Sequence, residues 1–103
     1  MYGTVFTMRP KPGQQQAVEE HFHRWDHERR QVVSGAFGGY LFRSTSHPGE
    51  LVAVAVFDSK ENYDRNANDP GQDAWYRELR ALLEADPEWN DGEAVALGGP
   101  HEH

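Results

Sequence analysis

The segment Leu51–Phe57 reads Leu-Val-Ala-Val-Ala-Val-Phe, and it constrains the fold more than any other part of the chain. Successive side chains of a β-strand point to opposite faces of the sheet, so both faces of this strand are apolar. Asp58 and Ser59 follow it, and both residue types commonly cap the start of a helix. The pattern predicts a strand inside a sheet that is covered on both faces.

The remaining periodicities predict two strand-helix-strand halves. In the first half, the expected elements are a strand over residues 2–8, a helix over residues 14–33 that Ser34 and Gly35 end, and a strand over residues 36–44. The glycines of this second strand indicate a bulge or a close backbone approach. After a turn over residues 47–50, we expect a strand over residues 51–58, a helical turn over residues 60–65, a main second helix that begins at Asp69 and Pro70, and a last strand over residues 93–97. This order matches the ferredoxin-like β-α-β-β-α-β fold of the α+β class, with a four-stranded antiparallel sheet and the helices on one face. We assign residues 1–98 to a single domain and residues 99–103 to a polar tail.

The face of the predicted sheet away from the helices has no cover within the chain. Two helices protect only one face of a four-stranded sheet, and the apolar third strand requires protection on both. A second copy of the chain is the simplest cover, so we expect a homodimer.

The charge balance and the absence of cysteine exclude several classes of function. Ten Lys and Arg residues against seventeen Asp and Glu residues give a formal net charge of −7. An acidic surface repels nucleic-acid phosphates and anionic lipids, so we expect neither partner. Thiol catalysis, disulfides and thiolate metal sites are excluded because the chain has no cysteine. No apolar stretch approaches the roughly 20 residues of a membrane span, and we expect a soluble cytoplasmic protein.

The histidines do not predict a metal site. His23 and His27 are four residues apart, a spacing that can bind one ion. They lie opposite the apolar stripe of the first helix, so we expect them to face solvent and predict no metal. His21 lies at the border of that stripe, one turn before Trp25. It either packs partly buried or reaches into the interior as a base.

Two arginines lie where a charge needs a partner. Arg29 interrupts the stripe of the first helix, and Arg43 lies on the second strand. Either could bind a substrate anion or an acidic partner, and we expect ion pairs to be their main role.

Several separated segments carry a family resemblance. They are Lys11-Pro12-Gly13, the stretch from Gly35 to Tyr40, the stretch from Phe57 to Tyr63, and Trp75 with the helix and the Asp86-Pro87-Glu88-Trp89 segment that follow it. Together they resemble the antibiotic biosynthesis monooxygenase-like family of the dimeric α+β barrel superfamily. The resemblance implies a homodimer with its sheets packed face to face and a cavity in each subunit between sheet and helices. It also implies oxygenation of a small aromatic, often polyketide-type substrate without metal or flavin, so no cofactor is expected.

The second helical region supplies the candidates for the pocket wall. At 100° per residue, Asn68, Gln72, Trp75 and Tyr76 share one helix face with Leu79. Amide and phenol groups can hold a phenolate and polarise a carbonyl, and indole offers a stacking surface. The alternative is that the aromatic residues only anchor the core and the asparagines only cap helices.

The resemblance implies pocket residues of the types Asn, Trp and Tyr in this region, which Asn62, Asn66 or Asn68, then Trp75 and Tyr76, match. We predict a cofactor-independent monooxygenase-like enzyme that acts on a small hydrophobic or aromatic molecule. The candidate catalytic residues are Asn68, Tyr76 and His21, and the candidate substrate-binding residues are Trp75, Gln72 and Trp25. Two other readings stay open: a non-catalytic ligand-binding or accessory dimer that uses the same cavity, and a housekeeping protein whose cavity is vestigial. Convergent titratable groups in the pocket would favour an enzyme.

Overall fold

The computed structural model describes residues 1–29 and 35–95. Its elements are β1 (Tyr2–Met8), α1 (Gln15–Glu28), β2 (Ala36–Arg43), β3 (Leu51–Phe57), α2 (Lys60–Ala67), α3 (Pro70–Ala81) and β4 (Glu88–Glu93). The strands form one antiparallel sheet in the order β2-β3-β1-β4. This arrangement confirms the predicted α+β, ferredoxin-like fold, with the second helical region divided into α2 and α3.

The core lies between the inner face of the sheet and the helices. Met8 of β1 and Leu51 of β3 are register partners and are buried together. Val18 of α1, Leu79 of α3 and Leu83 after α3 are fully buried against them in the same cluster. Phe22, Leu41, Trp75, Tyr76 and Leu82 pack around this cluster and are only partly buried. The core is therefore dense on one side and opens towards a set of aromatic side chains.

The outer face of the sheet is apolar, and no other element within residues 1–29 and 35–95 covers it. Val52, Val54 and Val56 alternate with the buried residues of β3, so they lie on this face. Tyr40 and Phe42 of the edge strand β2 share it, are 70% and 53% exposed, and stack with ring centroids 6.1 Å apart. The two-sided apolar pattern of β3 thus has its expected consequence, an apolar face that the described part of the chain leaves uncovered.

The division between α2 and α3 follows from two capping residues. The Ser59 hydroxyl accepts a hydrogen bond from the Asn62 backbone N–H at the start of α2. Asp69 accepts from the Gly71 N–H at the start of α3, and Pro70 occupies the first turn, where a missing N–H costs nothing. Within residues 1–29 and 35–95, no helix is long and apolar enough to cross a membrane.

The first helix ends earlier than its periodicity predicts. α1 stops at Glu28, and the Arg29 N–H caps it by donating to the Trp25 carbonyl. Gly35 has a positive φ of 75°, but its carbonyl accepts from the Asp58 N–H at the end of β3. Gly35 therefore directly precedes β2, and the C-cap of α1 is Arg29 and not Gly35 as predicted. The predicted helical residues 30–33 and Ser34 lie outside the described residues.

The last strand begins five residues earlier than predicted. β4 covers Glu88–Glu93 and pairs with β1 from Thr7 opposite Glu88 to Tyr2 opposite Glu93. The Trp89 ring packs on Phe6 with centroids 4.3 Å apart, which holds this register. The Asn-Asp-Gly sequence that looks like a turn therefore lies inside the strand. The predicted residues 96–97 and the polar tail lie outside the described part of the chain.

Candidate functional site

A cavity of about 1160 Å³ lies between the inner face of the sheet and the helices. Its floor is formed by short side chains, because Gly39, Ala55 and Thr4 are consecutive register partners across β2, β3 and β1. A Cβ added at Gly39 would come within 2.9 Å of the Val54 carbonyl oxygen, so the close strand approach keeps this position small. The lining also includes residues whose side chains lie on the outer face of the sheet, such as Tyr40 and Phe42.

The walls of the cavity are aromatic and come from α1, α3 and β4. All three tryptophans of the chain, Trp25, Trp75 and Trp89, are lining residues. Phe22 meets the Trp75 ring edge-on with centroids 5.0 Å apart, and Tyr76 lies 6.0 Å from Trp89. Burial raises the pKa of Tyr76 above its ordinary value. Such a wall can stack against a flat aromatic ligand.

Polar residues fix the Trp25 side of the wall. Gln72 Oε1 accepts from Trp25 Nε1 at 2.8 Å and from Arg29 Nε at 3.3 Å. Arg29 also pairs with Asp69 at 2.8 Å, and Asp69 caps α3. The Gly71 N–H and Arg29 both lower the pKa of Asp69. Arg29 is therefore occupied by this network, in agreement with the ion-pair role expected for it.

The other end of the cavity carries a pair of titratable groups. The Tyr63 hydroxyl donates to Asp91 Oδ1 at 3.1 Å. Burial, together with the neighbouring Asp91 carboxylate, raises the pKa of Tyr63 to about 12. Thr4, the register partner of Asp91, is only 4% exposed, and its hydroxyl lies near Tyr63 but has no partner in hydrogen-bonding geometry. We call Thr4, Tyr63, Asn66 and Asp91, all of which line the cavity, the polar end.

The two asparagines at the end of α2 have different environments. Asn66 lines the cavity, and its Oδ1 is buried without a hydrogen-bond partner. Asn68 is exposed, donates to the Asp64 carbonyl at 2.9 Å and lies outside the lining. The prediction that Asn68 shares a face with Gln72 and Trp75 is wrong because Asn68 ends α2, while the other two belong to α3.

His21 does not reach the cavity. Its ring is 2% exposed and stacks on the Trp75 indole, with centroids 4.7 Å apart and planes 9° apart. Nε2 lies 2.8 Å from the Trp75 carbonyl oxygen, and Nδ1 lies 3.1 Å from Arg24 Nη2. Because Arg24 can only donate, Nδ1 accepts and Nε2 carries the proton. Both ring nitrogens are occupied, so of the two alternatives for His21 the packing role fits the structure.

The remaining charged residues of the lining do not form a metal centre. Glu19 and Arg43 form a two-bond ion pair with distances of 2.8 and 2.7 Å, which joins α1 to β2. His23 is exposed at the cavity mouth, and His27 is exposed outside it. Within the described residues, no group of three or more His, Asp or Glu side chains could hold a metal ion.

Of the predicted site residues, the structure brings Trp25, Gln72, Trp75 and Tyr76 into one cavity and leaves Asn68 and His21 outside. The polar end contains residues that the sequence analysis did not select as catalytic or substrate-binding. Tyr63 and Asp91 lie 28 positions apart and meet only because β4 pairs with β1. In the sequence, the resemblance to the monooxygenase-like family implied a pocket asparagine in this region. Asn66 was one of three asparagines that matched, together with Asn62 and Asn68.

A model of the antibiotic biosynthesis monooxygenase family matches residues 1–78. The chain belongs to this family. The match includes β1, most of the cavity lining and the first part of α3. No curated protein sequence is significantly similar to the chain.

Several solved structures share the fold at low sequence identity. Rv0793 from Mycobacterium tuberculosis superposes with a TM-score of 0.80 at 15% identity, over 95% of this chain and 98% of that one. A putative antibiotic biosynthesis monooxygenase from Chloroflexus aurantiacus gives 0.75 at 22% identity, over 95% and 96%. A variant of SnoaB, a cofactor-independent oxygenase from Streptomyces nogalater, gives 0.78 at 22% identity, over 93% and 94%. At these identities the likeness establishes the fold alone.

Proposed function

We propose that this protein is a cofactor-independent oxygenase of small aromatic, polyketide-type molecules. The observation that carries the proposal is a cavity with three tryptophans in its walls and a tyrosine–aspartate pair at one end. Convergent titratable groups distinguish this space from a purely apolar binding pocket. Membership of the monooxygenase family and the fold shared with SnoaB, a cofactor-independent oxygenase, support the same reaction class.

The reaction proposed is the oxidation of an activated aromatic methylene, as in a hydroxyanthrone, to a carbonyl. The substrate methylene and one O₂ give a carbonyl and one water, so the substrate supplies all the electrons. Trp25 and Trp75 would stack on the ring system, and the Gln72 amide and the Tyr76 hydroxyl would orient its oxygen atoms. Asp91, hydrogen-bonded to Tyr63, is the proposed acceptor of the substrate proton.

The orienting amide is proposed to be Asn66, because Asn68 lies outside the cavity. The two residues form a matched pair two positions apart, one lining the cavity and one exposed. Loss of one hydrogen bond of about 1.4 kcal/mol in the transition state lowers a rate about tenfold.

The test is oxygen uptake on hydroxyanthrones and quinols by each variant. We expect Asn66→Ala and Tyr76→Phe to lower uptake by about tenfold or more, and Asn68→Ala to leave it unchanged. If Asn66→Ala and Asn68→Ala lost oxygen uptake equally, the proposed role of Asn66 in the cavity would be contradicted. Tight binding of the same compounds without any oxygen uptake would instead support a non-catalytic ligand-binding dimer.

We also propose that the protein functions as a homodimer that packs the outer sheet faces together. Tyr40, Phe42 and Val5 are exposed on this face at 70%, 53% and 43%, and the valines of β3 lie between them. An apolar sheet face of this kind is typical of an interface between subunits. We expect a dimer that buries about 2,000 Å² or more, the range of obligate dimers.

A further inference from the structure

The polar end of the cavity presents hydrogen-bond acceptors. Tyr63 uses its proton in the bond to Asp91, which leaves the phenol oxygen and the carboxylate as acceptors. Asn66 Oδ1, also an acceptor, is buried without a partner. The Thr4 hydroxyl is buried, has no partner in hydrogen-bonding geometry and can either donate or accept, and the Asn66 amide also carries an NH2 donor. The phenol oxygen, the Asp91 carboxylate and Asn66 Oδ1 can be satisfied only by a ligand that brings donor hydrogens.

The charge of the lining favours the same kind of ligand. Among the described residues, its acidic members are Glu19, Asp26, Asp73 and Asp91, and its one Lys or Arg member is Arg43. Arg43 forms a salt bridge with Glu19, and Asp73 forms one with Arg77, which is not a lining residue. The Asp91 carboxylate instead faces an un-ionised phenol. The hydrogen bond to Asp64 and, to a smaller extent, the Asp91 charge raise the pKa of Lys60. Lys60 is not a lining residue, and its ammonium group binds Asp64.

We propose that the polar end selects aromatic ligands by a head group that donates hydrogen bonds and carries no negative charge. A hydroxyl or a protonated amine fits, and a carboxylate, sulfonate or phosphate does not. The aromatic walls favour a cationic head further, since indole and phenol faces attract ammonium groups. This inference rests on the proposed function in one respect: both take the cavity to be a binding site for small molecules.

The test compares three anthraquinones of nearly equal shape. They are 2-(hydroxymethyl)anthraquinone, 2-(aminomethyl)anthraquinone and anthraquinone-2-carboxylate, which at neutral pH carry a neutral, a positive and a negative head. Each should quench the tryptophan fluorescence on binding, because all three tryptophans line the cavity. The quinones are already oxidised, so their affinities report binding and are independent of any oxygen chemistry.

We expect the amine to bind at least as tightly as the alcohol and the carboxylate to bind at least about tenfold more weakly than either. Asp91→Asn should reduce the amine-to-carboxylate affinity ratio by about fivefold or more. Thr4→Val, which keeps the shape, should weaken the alcohol without unfolding the protein. Glu84→Gln changes the net charge equally on an exposed site outside the lining, and should leave the ratio within about twofold.

Equal affinity for all three heads, or no quenching by any of them, would overturn the inference. So would an equal change of the ratio in Asp91→Asn and Glu84→Gln, because the selection would then reflect net charge. The expected affinity order together with absent oxygen uptake would leave the inference standing and refute the oxygenase proposal.

Discussion

His21 holds α1 against α3, and we predict that replacing it costs stability while catalysis per folded molecule is kept. The two helices exchange hydrogen bonds at this point: the His21 ring donates to the Trp75 carbonyl, and Trp75 Nε1 donates to the His21 carbonyl at 3.2 Å. The imidazole and indole planes are also stacked. Removal of the ring in His21→Ala breaks the first bond and the stacking together.

The expected cost follows from these two losses. The Trp75 carbonyl keeps its bond within α3, so the loss of the His21 hydrogen bond costs about 0.5–1.5 kcal/mol, and the lost ring stacking about 0.5–1.5 kcal/mol. We therefore expect His21→Ala to lower the free energy of unfolding by about 1–3 kcal/mol, a sizeable part of the about 5–15 kcal/mol that stabilises a typical domain. His21→Phe keeps the stacking and His21→Gln keeps a donor, so each should cost less than His21→Ala.

The measurement is urea unfolding followed by far-UV circular dichroism at one fixed protein concentration, because the stability of the proposed homodimer would depend on concentration. His27→Ala, an exposed change on the same helix, should stay within about 0.5 kcal/mol of the parent. The reasoning is refuted if His21→Ala keeps its stability within that margin and loses oxygen uptake. That result would identify His21 as the base.

Three further changes test the cavity floor, the outer sheet face and the ion pair between α1 and β2. Ala55→Leu should fill the floor and weaken anthraquinone binding by about tenfold or more with little loss of stability, as measured by fluorescence titration and urea unfolding; unchanged affinity would place the ligand elsewhere. Phe42→Glu puts a charge on the outer face, so light scattering at micromolar concentration should show a monomer, and a parent protein that is already monomeric would contradict the dimer. Arg43 lowers the pKa of Glu19, so the pair's stabilisation is complete above the ordinary glutamate pKa and is lost as the pH falls through the lowered one. The difference in urea midpoint between the parent and Glu19→Gln should therefore shrink on acidification from about pH 7 to about pH 3. A difference that grows on acidification would contradict the expected pH dependence of the ion pair's stabilisation.

The fold could be predicted from the sequence wherever local chemistry decides it. Asp69 and Pro70 fix the start of α3. The glycines of β2 indicated a bulge or a close backbone approach, and the strand has a register shift between Ala36 and Gly38 and a close approach at Gly39. The last strand was misplaced because Asn-Asp-Gly has the composition of a turn. Pairing with β1 overrides that local preference, and a single sequence does not show which strand Trp89 packs against.

The cavity wall could be predicted in part. Helical periodicity brought Gln72, Trp75 and Tyr76 together correctly because they lie on one uninterrupted helix. It failed for Asn68, which the helix break separates from them. The polar end could not be derived from spacing, because Tyr63 and Asp91 meet only through the β1–β4 register.

The most direct test of the oxygenase proposal follows the oxygen atoms. A hydroxyanthrone would be turned over under ¹⁸O₂ by protein freed of metals with a chelator, and the quinone would be analysed by mass spectrometry. We predict one ¹⁸O atom in each quinone formed, one O₂ consumed per quinone, and a rate that Asn66→Ala lowers and Asn68→Ala does not. Quinone without label, or formed no faster than in the absence of protein, would contradict the proposal.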